Sequence, residues 1–201
     1  MSAPTYRFAE REAPADAPLL FLFHGTGGDE TDLLGLGHEV MPGARLVAPR
    51  GDVTENGAPR FFRRLAMGVY DMADLARATA KMSAFMRERI AETKPSLVAA
   101  LGYSNGANIL AAVLFETPDL IDRAVLMHPL IPFAPAAQPR LAHRKVLITA
   151  GRRDPIAPVQ STESLAAYFQ AQGAVVTLAW HDGGHEVRPQ EIAAAQLLLT
   201  A

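Results

Sequence analysis

Six short, mostly apolar runs recur along the chain, and each ends at a glycine or a polar residue. Runs of four to six such residues bounded by turn residues are typical of strands buried on both faces of a parallel sheet. The predicted strands span residues 19–23, 44–49, 97–101, 124–127, 146–150 and 175–180. Residues 6–9 predict an additional antiparallel strand at the sheet edge.

Helical patterns separate these runs. One pattern places five apolar side chains on a single helical face: Leu75, Met82, Phe85, Met86 and Ile90. Residues 109–115 are apolar almost all round, which predicts a deeply buried helix. Another helix is expected around residues 165–169 and ends at Gly173. Pro189, with Glu191 in the same turn, is typical of the start of a C-terminal helix.

The alternation of strands and helices predicts an α/β fold with an open, mostly parallel sheet and helices on both faces. No linker, repeat or low-complexity segment divides the sequence, so residues 1–201 are interpreted as one domain. In such sheets ligands bind beyond the carboxyl ends of the strands. The residues that follow each apolar run are therefore the first place to look for chemistry.

Composition excludes several classes of function. The net charge of −2 gives no basic field for nucleic acid or anionic membranes. The absence of cysteine excludes disulfides, a thiol nucleophile and thiolate metal sites. The N-terminal stretch is charged and lacks an apolar core, and no run is long enough to span a membrane. We expect a cytoplasmic protein without integral membrane association, and a homodimer is left open.

A serine lies between two glycines where the strand at 97–101 gives way to the buried helix. The segment Gly102-Tyr103-Ser104-Asn105-Gly106 fits G-x-S-x-G, the pattern of a nucleophile displayed on a sharp strand-to-helix turn. Glycines two residues to either side avoid collisions with neighbouring backbone, and the helix N-terminus favours an oxyanion. The simpler alternative is that Ser104 only caps the helix. We expect Ser104 to be a nucleophile.

A serine nucleophile needs a base and an acid that orients the base, and in this architecture the order is serine, acid, histidine. Asp154 follows the fifth apolar run and His185 follows the sixth, so both are the expected partners of Ser104. Asp154 could instead be a turn residue before Pro155. The other candidates for these roles are Asp182, Asp122 and His181.

The glycine-rich loop after the first central strand, His24-Gly25-Thr26-Gly27-Gly28, is expected to supply one oxyanion donor. The predicted donors are the backbone N–H groups of Thr26 and Asn105. A phosphate-binding loop is the alternative, but neither G-x-x-x-x-G-K-[ST] nor G-x-G-x-x-G is present here. His181 and His185 could also suggest a metal pair, although no second ligand cluster is evident. We expect no cofactor and no metal.

The motifs together resemble the serine carboxylesterase/phospholipase group of the α/β-hydrolase superfamily. The resemblance covers nearly the whole chain and rests on HGTGGDE, PRG, RFFRR, GYSNGAN, HP, DP and GH. It implies a small capless hydrolase whose triad is Ser104, Asp154 and His185, with Thr26 and Asn105 as oxyanion donors. Some relatives act on acyl-protein thioesters or lysophospholipids. This chain has Asn105 where the thioesterase branch usually has glutamine.

A long connection, residues 51–71, is expected to shape specificity. The candidate substrate-binding residues are Arg60, Phe61, Phe62, Arg63, Tyr70 and His128. Two alternatives remain open: the phenylalanines could anchor the loop to the core, and the arginines could be solvated or paired with acidic residues. The sequence thus predicts a serine carboxylesterase for small esters. A lysophospholipase, a thioesterase or a non-catalytic ligand-binding module on the same fold are the alternatives.

Overall fold

A computed structural model describes residues 5–201 of the protein. The strands within this range are β1 (Phe8–Arg11), β2 (Leu19–Phe23), β3 (Arg45–Pro49), β4 (Val53–Glu55), β5 (Ala58–Arg60), β6 (Arg64–Ala66), β7 (Val69–Tyr70), β8 (Val98–Tyr103), β9 (Arg123–Met127), β10 (Lys145–Gly151) and β11 (Val175–His181). The interpretation of residues 1–201 as one domain stays a prediction, and its first four residues lie outside the described part.

Seven of these strands form the central sheet, in the order β1-β3-β2-β8-β9-β10-β11. All neighbours pair in parallel except β1, which pairs antiparallel with β3 through the register Phe8↔Pro49. Each predicted apolar run corresponds to one of the six parallel strands, and the predicted edge strand is β1. The predicted α/β-hydrolase fold class is confirmed.

Within the described residues 5–201, five helices cover the sheet: α1 (Leu34–Val40), α2 (Met72–Thr93), α3 (Asn105–Glu116), α4 (Val159–Ala171) and α5 (Pro189–Thr200). Side chains alternate between the two faces along each strand. On β2, Leu19, Phe21 and Phe23 join the core under α2, α3 and α4, whereas Leu20 and Leu22 join the core under α1 and α5. Two hydrophobic layers therefore fix the sheet from both sides.

Three features were not predicted from the sequence. Helix α1 contains Gly35 and Gly37, which weaken its helical pattern. The segment 51–71, interpreted as a connection without regular structure, forms the antiparallel pairs β4–β5 and β6–β7. The first pair turns at Asn56 and Gly57, whose φ values are 51° and 83°. Asn-Gly is the usual sequence of such a two-residue hairpin turn, so this signal was present in the sequence.

The strand registers bring the carboxyl ends of the parallel strands to one edge of the sheet. Phe23 lies opposite Gly102, Tyr103 lies opposite Met127, and Gly151 lies opposite His181. The loops after β2, β8, β9, β10 and β11 consequently meet at this edge. None of the helices in residues 5–201 combines the length and the apolar character that crossing a membrane requires.

Candidate active site

Ser104 occupies a sharp turn between β8 and α3. Its backbone has φ 53° and ψ −115°, a region that residues other than glycine rarely adopt. Its side chain makes no capping hydrogen bond to α3, although Ser104 occupies the N-cap position. The turn therefore exposes the hydroxyl at the carboxyl edge of the sheet instead of using it to stabilise the helix.

The glycines on either side of Ser104 permit close backbone packing. A Cβ atom on Gly106 would lie 1.9 Å from the carbonyl oxygen of Phe23, and one on Gly102 would lie 2.4 Å from the carbonyl oxygen of Gly106. Both distances are far below van der Waals contact with backbone that cannot move aside. Any larger residue at either position would displace α3 or β2 and the turn between them.

His185 and Asp154 complete a hydrogen-bonded chain with Ser104. The Nε2 atom of His185 lies 2.9 Å from Oγ of Ser104, and Nδ1 lies 2.7 Å from Oδ2 of Asp154. Asp154 carries no proton to donate when ionised, so Nδ1–H is the donor in that contact and Nε2 is free to accept from the serine hydroxyl. This is the tautomer that a general base requires.

The environment of Asp154 keeps its carboxylate ionised. Oδ1 accepts hydrogen bonds from the backbone N–H groups of Ile156 (2.8 Å) and Ala157 (3.0 Å). Burial by itself would raise the pKa of Asp154, but the hydrogen bonds from Ala157, His128 and His185 outweigh burial and lower it. The ionised carboxylate of Asp154 therefore fixes the orientation of the His185 ring.

The other acid and base candidates lie elsewhere. His181 accepts the Gly183 N–H at Nδ1 (2.9 Å) and faces Glu191 rather than Ser104. Asp182 has a side chain that is 89% exposed. Asp122 accepts the N–H of Val98 at the start of β8, so it lies at the opposite end of the sheet. Among these candidates, the structure thus connects only His185 and, through it, Asp154 with Ser104.

The two predicted oxyanion donors lie beside Ser104. Asn105 is the first residue of α3, where backbone N–H groups have no acceptor within the helix. Thr26 borders the same pocket as Ser104, and its Oγ1 accepts a 2.6 Å hydrogen bond from Arg60. The loop is also held by His24, whose Nε2 accepts the N–H of Gly51 at 2.9 Å. His24 is therefore a structural link between this loop and the segment that follows β3.

A pocket of about 310 Å³ opens over Ser104. Its walls come from the loops after β2, β8, β9 and β10, from the hairpin β6–β7, and from the His185 loop. The lining residues that extend beyond the serine, histidine and oxyanion groups include Arg60, Arg64, Met67, Tyr70, Asn108, Leu130 and Ile156. Arg60 and Tyr70 thus lie where substrate-binding residues were expected.

Three expected substrate-binding residues do not line this pocket. Phe61 and Phe62 are completely buried in the hydrophobic core, so they anchor the 51–71 segment instead of contacting a ligand. Arg63 has a side chain that is 58% exposed and pairs with Asp71 and Asp74. These positions correct the sequence-based expectation, which could not distinguish a buried aromatic pair from a pocket wall.

His128 also differs from its expected role. It borders the pocket, but its side chain has no exposed surface and its Nδ1 lies 2.9 Å from Oδ2 of Asp154. Its Nε2 lies 3.1 Å from Oε1 of Glu191. His128 is therefore a partner of the acid behind the pocket rather than a substrate contact.

The side chains of His128, His181 and Glu191 lie close enough to be considered as a metal site, since one ligand atom of each falls within 4.8 Å of the others. However, the Gly183 N–H occupies the Nδ1 lone pair of His181, so the proton of this ring is on Nε2. A protonated nitrogen cannot bind a metal. This nitrogen lies 3.2 Å from Oε2 of Glu191 and 3.5 Å from Nε2 of His128, and the cluster is best described as a polar network.

Sequence reasoning missed three residues that position the site. Tyr103 donates its hydroxyl hydrogen to the carbonyl oxygen of His185 at 2.8 Å. Asn108 accepts the N–H of Leu130 at 2.7 Å, which holds the loop after β9. Glu191 lies on α5, outside the loops that were searched for chemistry. Only Glu191 gave a signal, because it was noted as an acidic residue at the start of a helix.

A comparison with protein families identifies the family of this chain. The sequence profile described as "Dienelactone hydrolase family" matches residues 55–187, about two thirds of the chain. The chain belongs to the dienelactone hydrolase family. It is thus a member of the α/β-hydrolase superfamily, as the motifs indicated, and a hydrolase of the dienelactone hydrolase/carboxylesterase type.

Individual relatives share much of the sequence and of the fold with this chain. MhqD of Bacillus subtilis (strain 168), whose name assigns it to the hydrolases only provisionally, is 44% identical over 176 residues, which cover 86% of this chain and 88% of MhqD. Among solved structures, a Bacillus cereus carboxylesterase is 38% identical with a TM-score of 0.88, over 96% of this chain and 92% of that one. The protein Atu2452 of Agrobacterium tumefaciens, described as of unknown function, is 52% identical with a TM-score of 0.91, over 97% and 96%.

Proposed function

We propose that this family member is a serine hydrolase of small carboxylic esters, with Ser104 as nucleophile, His185 as general base and Asp154 as the orienting acid. The observation that carries the proposal is the continuous hydrogen-bonded chain from Ser104 Oγ through His185 to Asp154, with distances of 2.9 and 2.7 Å. The carboxylesterase names of structural relatives from Bacillus cereus and Mesorhizobium loti support the choice of esters.

The reaction follows from the positions of these atoms. Ser104 Oγ attacks the ester carbonyl carbon while its proton passes to Nε2 of His185, and the carbonyl oxygen becomes an oxyanion facing the N–H groups of Thr26 and Asn105. The C–O bond to the alcohol then breaks, and His185 returns the proton to the leaving oxygen. Water, deprotonated by His185, attacks the acyl-enzyme. The bond between the acyl carbon and Ser104 Oγ then breaks, His185 returns the proton to Oγ, and the acid product leaves.

The size of the pocket favours small substrates. About 310 Å³ must hold both the acyl and the alcohol parts, and charged or polar side chains form a large share of the lining. Among residues 5–201, the bulky aliphatic or thioether side chains that line the pocket are Met67, Leu130 and Ile156. Esters with short acyl chains therefore fit best.

The direct test is a panel of p-nitrophenyl esters, thioesters and lactones with purified protein, together with labelling by a fluorophosphonate probe. We expect hydrolysis of short esters and one labelled residue, Ser104, located by mass spectrometry. A probe adduct on any other residue would contradict the assignment of the nucleophile. A thioester or lactone preferred over every ester would retain the serine chemistry but replace the substrate class.

A further inference from the structure

A buried network continues behind the proposed triad. Asp154 Oδ2 accepts hydrogen bonds from two imidazoles, His185 at 2.7 Å and His128 at 2.9 Å. The second ring of this pair, His128, extends the network to Glu191 on α5, whose side chain is 1% exposed. No step of the proposed reaction uses His128 or Glu191.

The contacts around His128 favour two protons on its ring. Nδ1 faces the ionised Asp154, so it carries a proton. Nε2 lies 3.1 Å from Oε1 of Glu191 and 3.5 Å from Nε2 of His181. An unprotonated Nε2 would place its lone pair against the lone pairs of the nearer Glu191 oxygen, and an imidazole is a stronger base than a carboxylate. The position of His128 between two buried carboxylates therefore favours an imidazolium.

The contacts of Glu191 favour its ionised form. Oε1 also accepts the hydroxyl of Thr149 (2.5 Å), and Oε2 accepts the backbone N–H of Arg188 (2.6 Å) and lies 3.2 Å from Nε2 of His181. Burial alone would raise the pKa of Glu191, but the hydrogen bonds from His128, Thr149 and Arg188 lower it. For His128 the contacts with Glu191 and Asp154 outweigh the burial that would lower its pKa, and they raise it.

We propose that His128 and Glu191 form a permanently charged buried pair, in which the His128 imidazolium offsets part of the Asp154 charge and keeps the base His185 unprotonated to lower pH. This inference rests on the proposed function of His185. The ring centroids of His128 and His185 are 5.1 Å apart, so the cation also acts directly against a second positive charge on His185. His128 and Glu191 are positioning residues because neither contacts the reacting atoms.

Other charged or titratable groups near these rings do not cancel the effect. Tyr103 packs against both rings, and burial raises the pKa of its phenol, which therefore stays neutral. Arg60 and Arg64 line the pocket in front of His185, and both pair with Glu55. Glu186 adjoins His185 but is exposed and pairs with Arg188. His181 is neutral in the tautomer that the Gly183 N–H selects.

The protonation of the rings can be measured directly by ¹H–¹⁵N NMR on uniformly labelled protein, with ring signals assigned through the backbone. In the wild type at pH 7 we expect His128 to have protons on both ring nitrogens. Glu191→Gln removes the counter-charge, so His128 should then carry one proton only. A singly protonated His128 in the wild type would overturn the proposal without any appeal to enzyme activity.

The effect on the base is measured by titrating the His185 ring in the same spectra and by the acid limb of the kcat/KM profile. His128→Asn keeps a donor toward Asp154, and asparagine tolerates the backbone φ of 52° at this position. We expect both midpoints to move up by roughly one pH unit, a tenfold gain in proton affinity. Glu191→Gln should give the same shift, and the double variant should give no more than either alone.

Two control variants test whether the shift in midpoint is specific to the His128–Glu191 pair. Asp182→Asn removes an exposed charge from the His185 loop, and His143→Asn replaces an exposed histidine that shares the left-handed backbone, with φ 67°. Neither should move the midpoints. Unchanged midpoints in both His128→Asn and Glu191→Gln would overturn the proposal. A wild type that titrates as expected but hydrolyses no ester would contradict the proposed function alone, because the ring titrations do not depend on turnover.

Discussion

The hydroxyl of Tyr103 donates a 2.8 Å hydrogen bond to the main-chain carbonyl of His185, so the residue before Ser104 holds the loop that carries His185. The two rings also pack against each other, with an angle of 41° between their planes and centroids 5.5 Å apart. The elbow and the His185 loop come from opposite parts of the sequence, 82 residues apart. This single contact connects them at the point where their side chains must react together.

Removal of this hydrogen bond is expected to loosen the base without removing it. Tyr103→Phe keeps the ring packing and loses only a neutral hydrogen bond, worth roughly 0.5–1.5 kcal/mol, which corresponds to a roughly 2- to 12-fold lower kcat/KM. Tyr168→Phe is the matched control, since its hydroxyl donates to the carbonyl of Ala136 away from the site. Equal losses in the two variants would show that the Tyr103 contact has no special role.

The assignment of the base can be tested by replacing each of the two loop histidines with alanine. We expect His185→Ala to lower kcat at least ~10³-fold while the fold is retained, because the serine loses its proton acceptor. We expect a loss of the same size for Ser104→Ala, which removes the attacking hydroxyl. His181→Ala should instead lower the free energy of unfolding, since the buried N–H of Gly183 loses its acceptor, and should leave most of kcat. Both histidine variants are to be compared by steady-state kinetics and by urea unfolding on the same samples. A large loss of kcat in His181→Ala but not in His185→Ala would make His181 the base.

Two nearby arginines are expected to behave differently. Arg60 is 3% exposed and bonds to Thr26 Oγ1 at 2.6 Å, so Arg60→Ala should release the loop that supplies an oxyanion donor and lower kcat. Arg63→Ala loses exposed ion pairs worth about 1 kcal/mol or less, and Asp74 keeps its 2.7 Å partner Arg77. Kinetics on a neutral ester test this contrast. If Arg63→Ala were as damaging as Arg60→Ala, the loop argument would be wrong.

The charge of the substrate offers a separate test of the pocket. Arg60 and Arg64 already pair with Glu55, so we expect only a small preference for carboxylate-bearing esters over neutral esters of equal size. Glu55→Gln frees both guanidinium groups and should increase that preference, with a larger effect at low salt if the contact is exposed. A ratio of kcat/KM values that does not change in Glu55→Gln would show that neither arginine reaches the substrate.

Stability should depend on pH through the buried network. The pKa of His128 is raised, so its contribution is fully present below pH about 6.5 and is lost as pH rises through the folded-state value. The pKa values of Asp154 and Glu191 are lowered, so their contributions are present above pH about 4 and are lost as pH falls through the folded-state values. The network therefore stabilises the fold most between about pH 4.5 and 6.5.

This pH dependence can be measured as the difference in unfolding free energy between the wild type and His128→Asn. We expect the difference in unfolding free energy, measured in urea at pH 6, 7.5 and 9, to shrink as pH rises. His143→Asn is the control, because its exposed ring takes no part in the network. A difference that is constant over this range would mean that His128 does not exchange its second proton on unfolding.

Acyl chain length tests the pocket volume. Each buried methylene contributes about 0.8 kcal/mol, so a long acyl tunnel would raise kcat/KM by about fourfold per carbon. The 310 Å³ pocket predicts instead a maximum between acetate and butyrate esters and a fall at octanoate. Decanoate esters that react fastest below their micelle-forming concentration would contradict this prediction.

Much of the fold was determined by local sequence pattern. The apolar runs predicted the six parallel strands because a strand buried on both faces must be apolar at every position. The glycines around Ser104 marked the elbow because only glycine fits where a Cβ would meet backbone at 1.9–2.4 Å. The order of Ser104, Asp154 and His185 followed from the position of each residue after a strand, and strand ends meet at one edge of a parallel sheet.

Only the tertiary structure decided what the side chains between these landmarks do. The sequence could not place Phe61 and Phe62 in the core, because a buried aromatic pair and a pocket wall have the same composition. It also gave no reason to connect His128 with Glu191, which lie 63 positions apart on separate elements. Their relationship depends on a 3.1 Å contact between two side chains, and such a contact is set by the packing of α5 against the sheet rather than by any local pattern.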